Sequence, residues 1–185
     1  MNLLHLDSSI LGDASVSRRL TRALVDQLRA ENPGVAVTYR DLAADALPHL
    51  SAAALAQPND ALIDELKAAD VLVIGAPMYN FAIPTVLKAW IDRVAVAGKT
   101  FKYTDAGPQG LVGARKAYVI ATSGGEYGGT PVATMHAGYL KQTLRFIGVA
   151  DVEVITAEGL ALPQRRDAAL ARAQAQIASL QLEAA

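Results

Sequence analysis

Residues Val71-Leu72-Val73-Ile74-Gly75-Ala76 form an uncharged apolar run of strand length, and nothing else in the chain narrows its architecture as much. A strand with one face in water alternates apolar and polar residues, whereas a continuous apolar run reads as a strand covered on both faces. The run stops at Gly75-Ala76-Pro77 and opens into Met78-Tyr79-Asn80-Phe81, with a helix expected from Pro84. In an open α/β sheet, ligands bind in the crevice outside the carboxyl ends of the strands. A loop there with two rings, an amide and free backbone N–H groups suits a flat, hydrogen-bonding ring system. The position points to a bound cofactor.

Strand-like runs alternate with helical patterns along the rest of the chain. Strands are expected at Asn2–Leu6, Val35–Arg40, Val71–Ala76, Lys116–Thr122 and Val152–Thr156. Between them, helices are expected at Ser15–Ala30, Asp60–Ala69, Pro84–Ala97 and Pro131–Ile147, with an Ala-rich closing helix at Gln164–Leu182. Leu20, Leu24 and Leu28 recur at helical spacing in the first of these, which Asn32-Pro33-Gly34 closes. Residues 41–59 read as irregular apart from a short piece at 51–56, and Gly98–Gly113 as a long connection. This alternation predicts right-handed βαβ units. The fold class is α/β: a doubly wound, five-stranded parallel sheet in the order 2-1-3-4-5, helices on both faces. Residues 1–185 are expected to form one domain.

Composition narrows the partners. Seventeen basic residues against eighteen acidic give a net charge of −1 without visible clustering, so no basic stripe for nucleic acid is present. The pairs Arg18-Arg19 and Arg165-Arg166 read as solvated helix faces. The absence of cysteine excludes a disulfide framework and a thiolate site, and His5, His49 and His136 are too scattered for a metal spacing. No segment approaches the length of a membrane span and the N-terminus has no signal-peptide pattern, so a cytoplasmic location is expected. Trp90, with Val86, Leu87, Ile91 and Val94, marks an apolar helix face, to be buried in the core or at an interface.

Three loops should meet at the carboxyl edge of the sheet. The first, Asp7 to Ser17, carries serines into a helix start, a ready anion site. It lacks a Walker ending and the Gly-x-Gly-x-x-Gly turn, which argues against nucleotide triphosphate or dinucleotide binding there. The second is Met78–Phe81. The third, Thr122-Ser123-Gly124-Gly125-Glu126-Tyr127-Gly128-Gly129-Thr130, holds four glycines in six residues and permits close backbone approach. A phosphate cradle after strand one, with ring-facing loops after strands three and four, is how a flavodoxin-like sheet holds FMN.

At this point the residues resemble a known family. Ser9 with Ser15-Val16-Ser17, Ala76-Pro77-Met78-Tyr79-Asn80-Phe81, Lys99-Thr100-Phe101-Lys102-Tyr103-Thr104, Thr122-Ser123-Gly124-Gly125 and Phe146-Ile147-Gly148 resemble FMN-dependent NADH azoreductases, which also act as NADH:quinone oxidoreductases. The resemblance covers nearly the whole chain. It implies that Ser9, Ser15, Val16 and Ser17 hold the phosphate of a tightly but non-covalently bound FMN. It implies equally that Met78, Tyr79, Asn80, Phe81, Ser123, Gly124, Gly125 and Glu126 embrace the isoalloxazine. Phe81, Tyr103, Tyr127 and Phe146 would line the substrate pocket, with Tyr103 and Phe146 closing the neighbouring subunit's site in a homodimer. The segment between strand two and the helix at Asp60 is shorter than in several family members, and Gly124 stands where some have arginine; both bear on substrate preference.

The expected reaction is ping-pong: NADH or NADPH reduces the flavin, and a quinone or aromatic azo compound then takes two electrons. FMN N5 carries the hydride, so no catalytic side chain is strictly required and no metal is implied. A flavodoxin-like electron carrier docking to protein partners is the alternative, though such carriers gain from a strongly one-signed surface. A receiver domain is excluded by Ala76-Pro77-Met78, where it would need an aspartate.

Overall fold

The computed structural model describes residues 1–180. Its strands are β1 (Asn2–Asp7), β2 (Ala36–Asp41), β3 (Val71–Pro77), β4 (Phe101–Thr104), β5 (Gly107–Gly110), β6 (Lys116–Thr122) and β7 (Asp151–Ala157). Five of them form one parallel sheet in the order β2-β1-β3-β6-β7. Counting only the strands of that sheet, the order is 2-1-3-4-5, as expected. All seven residues of β3 are buried at its centre.

Two sets of helices account for this double burial. Leu3, Val71, Val73, Ile120 and Ile155 meet α1 (Val16–Glu31) through Leu20, Leu24 and Leu28, and α7 (Pro163–Ala178) through Ala173 and Ile177. On the other face, Leu4, Leu6, Leu72, Ile74 and Val119 meet α3 (Asp60–Ala68), α4 (Thr85–Val94) and α6 (Tyr139–Ile147). Trp90 of α4 lies in this second cluster, 1% exposed, so a single chain already supplies its core environment. Full burial of one such large side chain stabilises by about 1.5–3 kcal/mol. No helix among the described residues is long and apolar enough to cross a membrane.

Several expected elements differ in detail. The connection Gly98–Gly113 contains an antiparallel hairpin, β4–β5, turned at Gly107 with φ 108°. Its Gly and Pro content hid it, because strands this short carry little alternation. Gly110 lies so close to Gly148 that a Cβ would overlap the Gly148 backbone, and Val112 N donates to the Ile147 carbonyl at 2.9 Å. The hairpin is thus seated on the end of α6. The helix α4 stops at Val94 rather than Ala97, and Pro84 is its N-cap. Residues 131–147 are helical throughout but pass from a short α5 (Pro131–Ala133) into a π turn at Thr134–Gly138 before α6. A short α2 (Ala52–Ala56) sits where an Ala-rich piece was expected. Residues 181 and 182 of the expected closing helix lie outside the described residues.

Candidate active site

The β1–α1 loop is held from beneath. Ser8 Oγ donates to the Gly75 carbonyl at 2.6 Å, and Thr21 Oγ1 to Asp7 Oδ1 at 2.9 Å. Gly75 pairs with Asp7 in register, and a Cβ there would lie 2.7 Å from Asp7 Oδ1. Only glycine lets the carboxylate cross the strand at that point. Tyr39 OH donates to Asp7 Oδ2 at 3.2 Å, and partial burial, reinforced by Asp7 and Asp41, pushes this phenol up to about 12.

Above this floor, Ser9, Ser15 and Ser17 are each no more than 2% exposed. Ser15 caps α1, accepting from Arg18 N at 3.3 Å, and its hydroxyl lies 3.0 Å from that of Ser17. Ser9 Oγ accepts from Leu11 N at 3.3 Å and lies 3.2 Å from Tyr79 OH, which also accepts from Ile10 N at 3.3 Å. These long bonds are the weak end of the range. The Val16 and Ser17 amides, in the first helical turn, find no acceptor among the described residues. The loop therefore offers an anion two free N–H groups, a helix N-terminus and hydroxyls in weak mutual contacts.

Arg18 departs from its expected role on a solvated face. Its guanidinium grips Asp41 through both Nη atoms, at 2.5 and 2.6 Å, and Nη2 donates to the Ser9 carbonyl at 2.8 Å. The pair draws each partner further into its charged form: Arg18 is raised and Asp41 lowered, chiefly through their shared hydrogen bonds. Arg19 alone is exposed. At the other pair, Arg165 reaches Glu126 at 3.6 Å from an exposed position.

The β3–α4 loop folds as a tight turn. Tyr79 and Ala82 exchange backbone hydrogen bonds of 3.0 and 3.1 Å, and Asn80 and Phe81 between them have φ of 49° and 67°. Positive φ at both central positions is the type I′ geometry, which asparagine tolerates and phenylalanine adopts only under strain. Met78 N donates to the Thr122 carbonyl at 2.7 Å, so two of the four loop amides are already engaged. Only those of Asn80 and Phe81 have no acceptor among the described residues, half of the donors the sequence promised. Met78 and Tyr79 are half-buried, and Phe81 is 52% exposed.

The β6–α5 loop faces that turn. The ring of Tyr127 stands edge-on to Phe81 with centroids 5.8 Å apart. A Cβ at Gly125 would lie 2.8 Å from Tyr127 OH, so glycine there allows the phenol to fold back over the loop. The Gly124, Gly125 and Glu126 amides have no acceptor among the described residues, whereas Ser123 Oγ donates to the Gly125 carbonyl at 2.8 Å. Glu158, which no sequence pattern marked, accepts from Tyr127 N at 3.0 Å and Gly128 N at 3.1 Å. It follows β7 and is brought near only by the sheet. His136, in the π turn, is buried beside Met78, Ser123 and Glu158 around a cavity of about 40 Å³, and burial pushes it below its ordinary value.

Tyr103 and Phe146 form a separate group. Phe101 bridges them, its centroid 5.6 Å from Tyr103 and 4.6 Å from Phe146. No aromatic contact joins this trio to Phe81 and Tyr127 among the described residues, and Tyr103 is 74% exposed. No cluster of potential metal ligands is found among the described residues.

Known proteins resemble this chain in sequence and in fold. An FMN-dependent NADH:quinone oxidoreductase of Pseudomonas putida is 53% identical over 197 aligned positions, covering 97% of both chains. The chain belongs to this oxidoreductase family. A second relative, from Pseudomonas aeruginosa and bearing the same description, is 50% identical over 96% of this chain and 97% of its own. The family model described as the flavodoxin-like fold matches residues 1–180. Among solved structures, an azoreductase of Bacillus anthracis superposes with a TM-score of 0.85 at 27% identity, covering 96% of this chain and 97% of the other.

Proposed function

We propose that this protein is an FMN-dependent NADH:quinone oxidoreductase that also reduces aromatic azo compounds and works as a homodimer. The observation that carries the reading is the convergence of three loops at one sheet edge, each with backbone N–H groups left without acceptors. Those of Val16 and Ser17, with the hydroxyls of Ser9, Ser15 and Ser17, suit a phosphate. Those of Asn80, Phe81, Gly124, Gly125 and Glu126 suit the polar edge of a flavin ring. Bound FMN supplies the two-electron chemistry between NADH and the acceptor.

The chain's contribution is to bind, orient and exclude water. The strained Asn80–Phe81 turn leaves two N–H groups without acceptors among the described residues just beyond β3, donors that suit negative charge on a bound ring. Phe81 and Tyr127 offer flat walls that select flat aromatic acceptors. Glu158 anchors the Tyr127–Gly128 backbone and so fixes one of those walls. Tyr103 and Phe146 take the role of closing the partner's pocket; the exposure of Tyr103 and its separation from Phe81 support a contribution across an interface. An electron carrier would not need acceptor walls, and the family's relatives are described as oxidoreductases.

An absorption spectrum of the purified protein tests the reading, followed by anaerobic addition of NADH and then a benzoquinone. Flavin bands that bleach with NADH and return with quinone are expected. Flavin bands that NADH does not bleach would return the carrier, and protein that takes up no FMN would remove the site.

A further inference from the structure

Arg18 is placed where a phosphate ligand would be sought, at the third residue of α1 beside Ser9, Ser15 and Ser17, yet its charge is already committed. Both Nη atoms engage Asp41, whose side chain is 23% exposed against 12% for Arg18. Asp41 Oδ1 also accepts from Ala43 N at 3.0 Å and Ala44 N at 3.2 Å, which ties the carboxylate to the chain leaving β2. Nη2 also donates to the Ser9 carbonyl and Nη1 to Tyr39 OH at 3.4 Å, while Nε is buried without a partner among the described residues. Meanwhile the Arg18 amide is the group that Ser15 caps. One residue thus holds Ser9 through its side chain and Ser15 through its backbone, while Ser9 in turn meets Tyr79 of the β3–α4 turn.

We infer that Arg18, locked by Asp41, is a positioning residue that presets the Ser9–Ser17 loop to bind phosphate with neutral donors, and thereby makes the protein select FMN over riboflavin. The inference rests on the FMN reading of that loop. A planar fork matched to a carboxylate fixes direction as well as charge, which a lysine ammonium cannot do. A direct arginine–phosphate contact would behave differently, because lysine serves well as a point-charge phosphate binder.

The test compares FMN and riboflavin dissociation constants, read by flavin fluorescence, in the wild-type protein and in Arg18→Lys, Arg18→Met and Asp41→Asn, with a thermal melt of each apoprotein. Arg18→Lys is expected to weaken FMN tenfold or more while shifting riboflavin less than twofold, and Asp41→Asn to move in the same direction by less. Wild-type FMN affinity should change little with salt, since the Arg18 cation is already paired with Asp41. Arg18→Lys binding FMN like the wild type would overturn the inference. So would equal losses for both flavins, which mark a merely structural role, or a steep salt dependence that vanishes in Arg18→Met, which marks direct contact. A wild-type protein that prefers FMN no more than riboflavin would remove the phosphate-loop reading itself, a result distinct from all of these. Should Arg18→Met fail to fold, the lysine variant still decides.

Discussion

The two ends of the candidate site are built on opposite terms. At the phosphate end of the proposed site, polar groups are buried or partly buried and held by neighbours: Asp7 by Thr21 and Tyr39, the Ser9 carbonyl by Arg18, Arg18 by Asp41. At the ring end, Phe81 stands exposed, and order comes from the backbone, through the Tyr79–Ala82 turn and the Glu158 anchor. Buried polar groups cost free energy unless paired, so the first end is specified by its own chain. Exposed aromatics await a surface. On the proposed function, the contrast predicts that affinity for the cofactor and choice of acceptor are separable properties.

Four perturbations sharpen or break that separation. Gly110→Ala should have the largest effect, about 3 kcal/mol or more of lost unfolding free energy in a denaturant titration, because a Cβ there overlaps the Gly148 backbone. An unchanged midpoint would mean that the hairpin carrying Tyr103 is not seated on α6. Ser17→Ala should loosen FMN about tenfold or more, a hydrogen bond to a charged group contributing about 1.5–3 kcal/mol. The acceptor KM, measured at saturating FMN, should hardly move. Phe81→Gly should do the reverse, raising the acceptor KM severalfold while FMN affinity holds. Relief of the left-handed turn, worth about 1–3 kcal/mol, offsets the lost Tyr127 contact, so its melting temperature should not fall. A matching fall in FMN affinity would show the two ends to be one unit.

The smallest effect concerns pH. Asp41 is depressed by Arg18, so its contribution to stability is complete above the ordinary carboxylate value of about 4 and is lost as pH falls through the folded value. Acid unfolding of Asp41→Asn should therefore show a shallower dependence on pH below that value than the wild type. Parallel curves would mean that the clamp is not the titrating element.

Much of this was legible in the residues. The apolar run of β3, the Leu20-Leu24-Leu28 stripe and the turn residues after α1 specify the sheet, its order and its covering helices through burial and spacing alone. The three site loops were also readable, since they follow strands. What stayed hidden depends on approach between distant segments. Arg18 looked like half of a surface pair, because its partner Asp41 lies at the end of a neighbouring strand. Glu158 carried no mark until β7 took its place beside β6. The hairpin escaped because Gly107 is required by a positive φ and Gly110 by close contact with the end of α6, which composition alone reads as looseness. The shortage of free amides in the β3–α4 turn likewise appears only once Thr122 and Ala82 supply acceptors.

Trp90 is the sole tryptophan of the chain, and it is packed with Leu72, Ile74 and Ile83 in the cluster below the ring-end turn. Its emission is therefore a single-residue signal, expected to lie blue of water-exposed indole before any ligand is added. Whatever FMN, NADH or a second subunit does to that fluorescence needs no assignment among competing fluorophores of its kind. The molecule carries its own optical probe of the layer on which the candidate site rests.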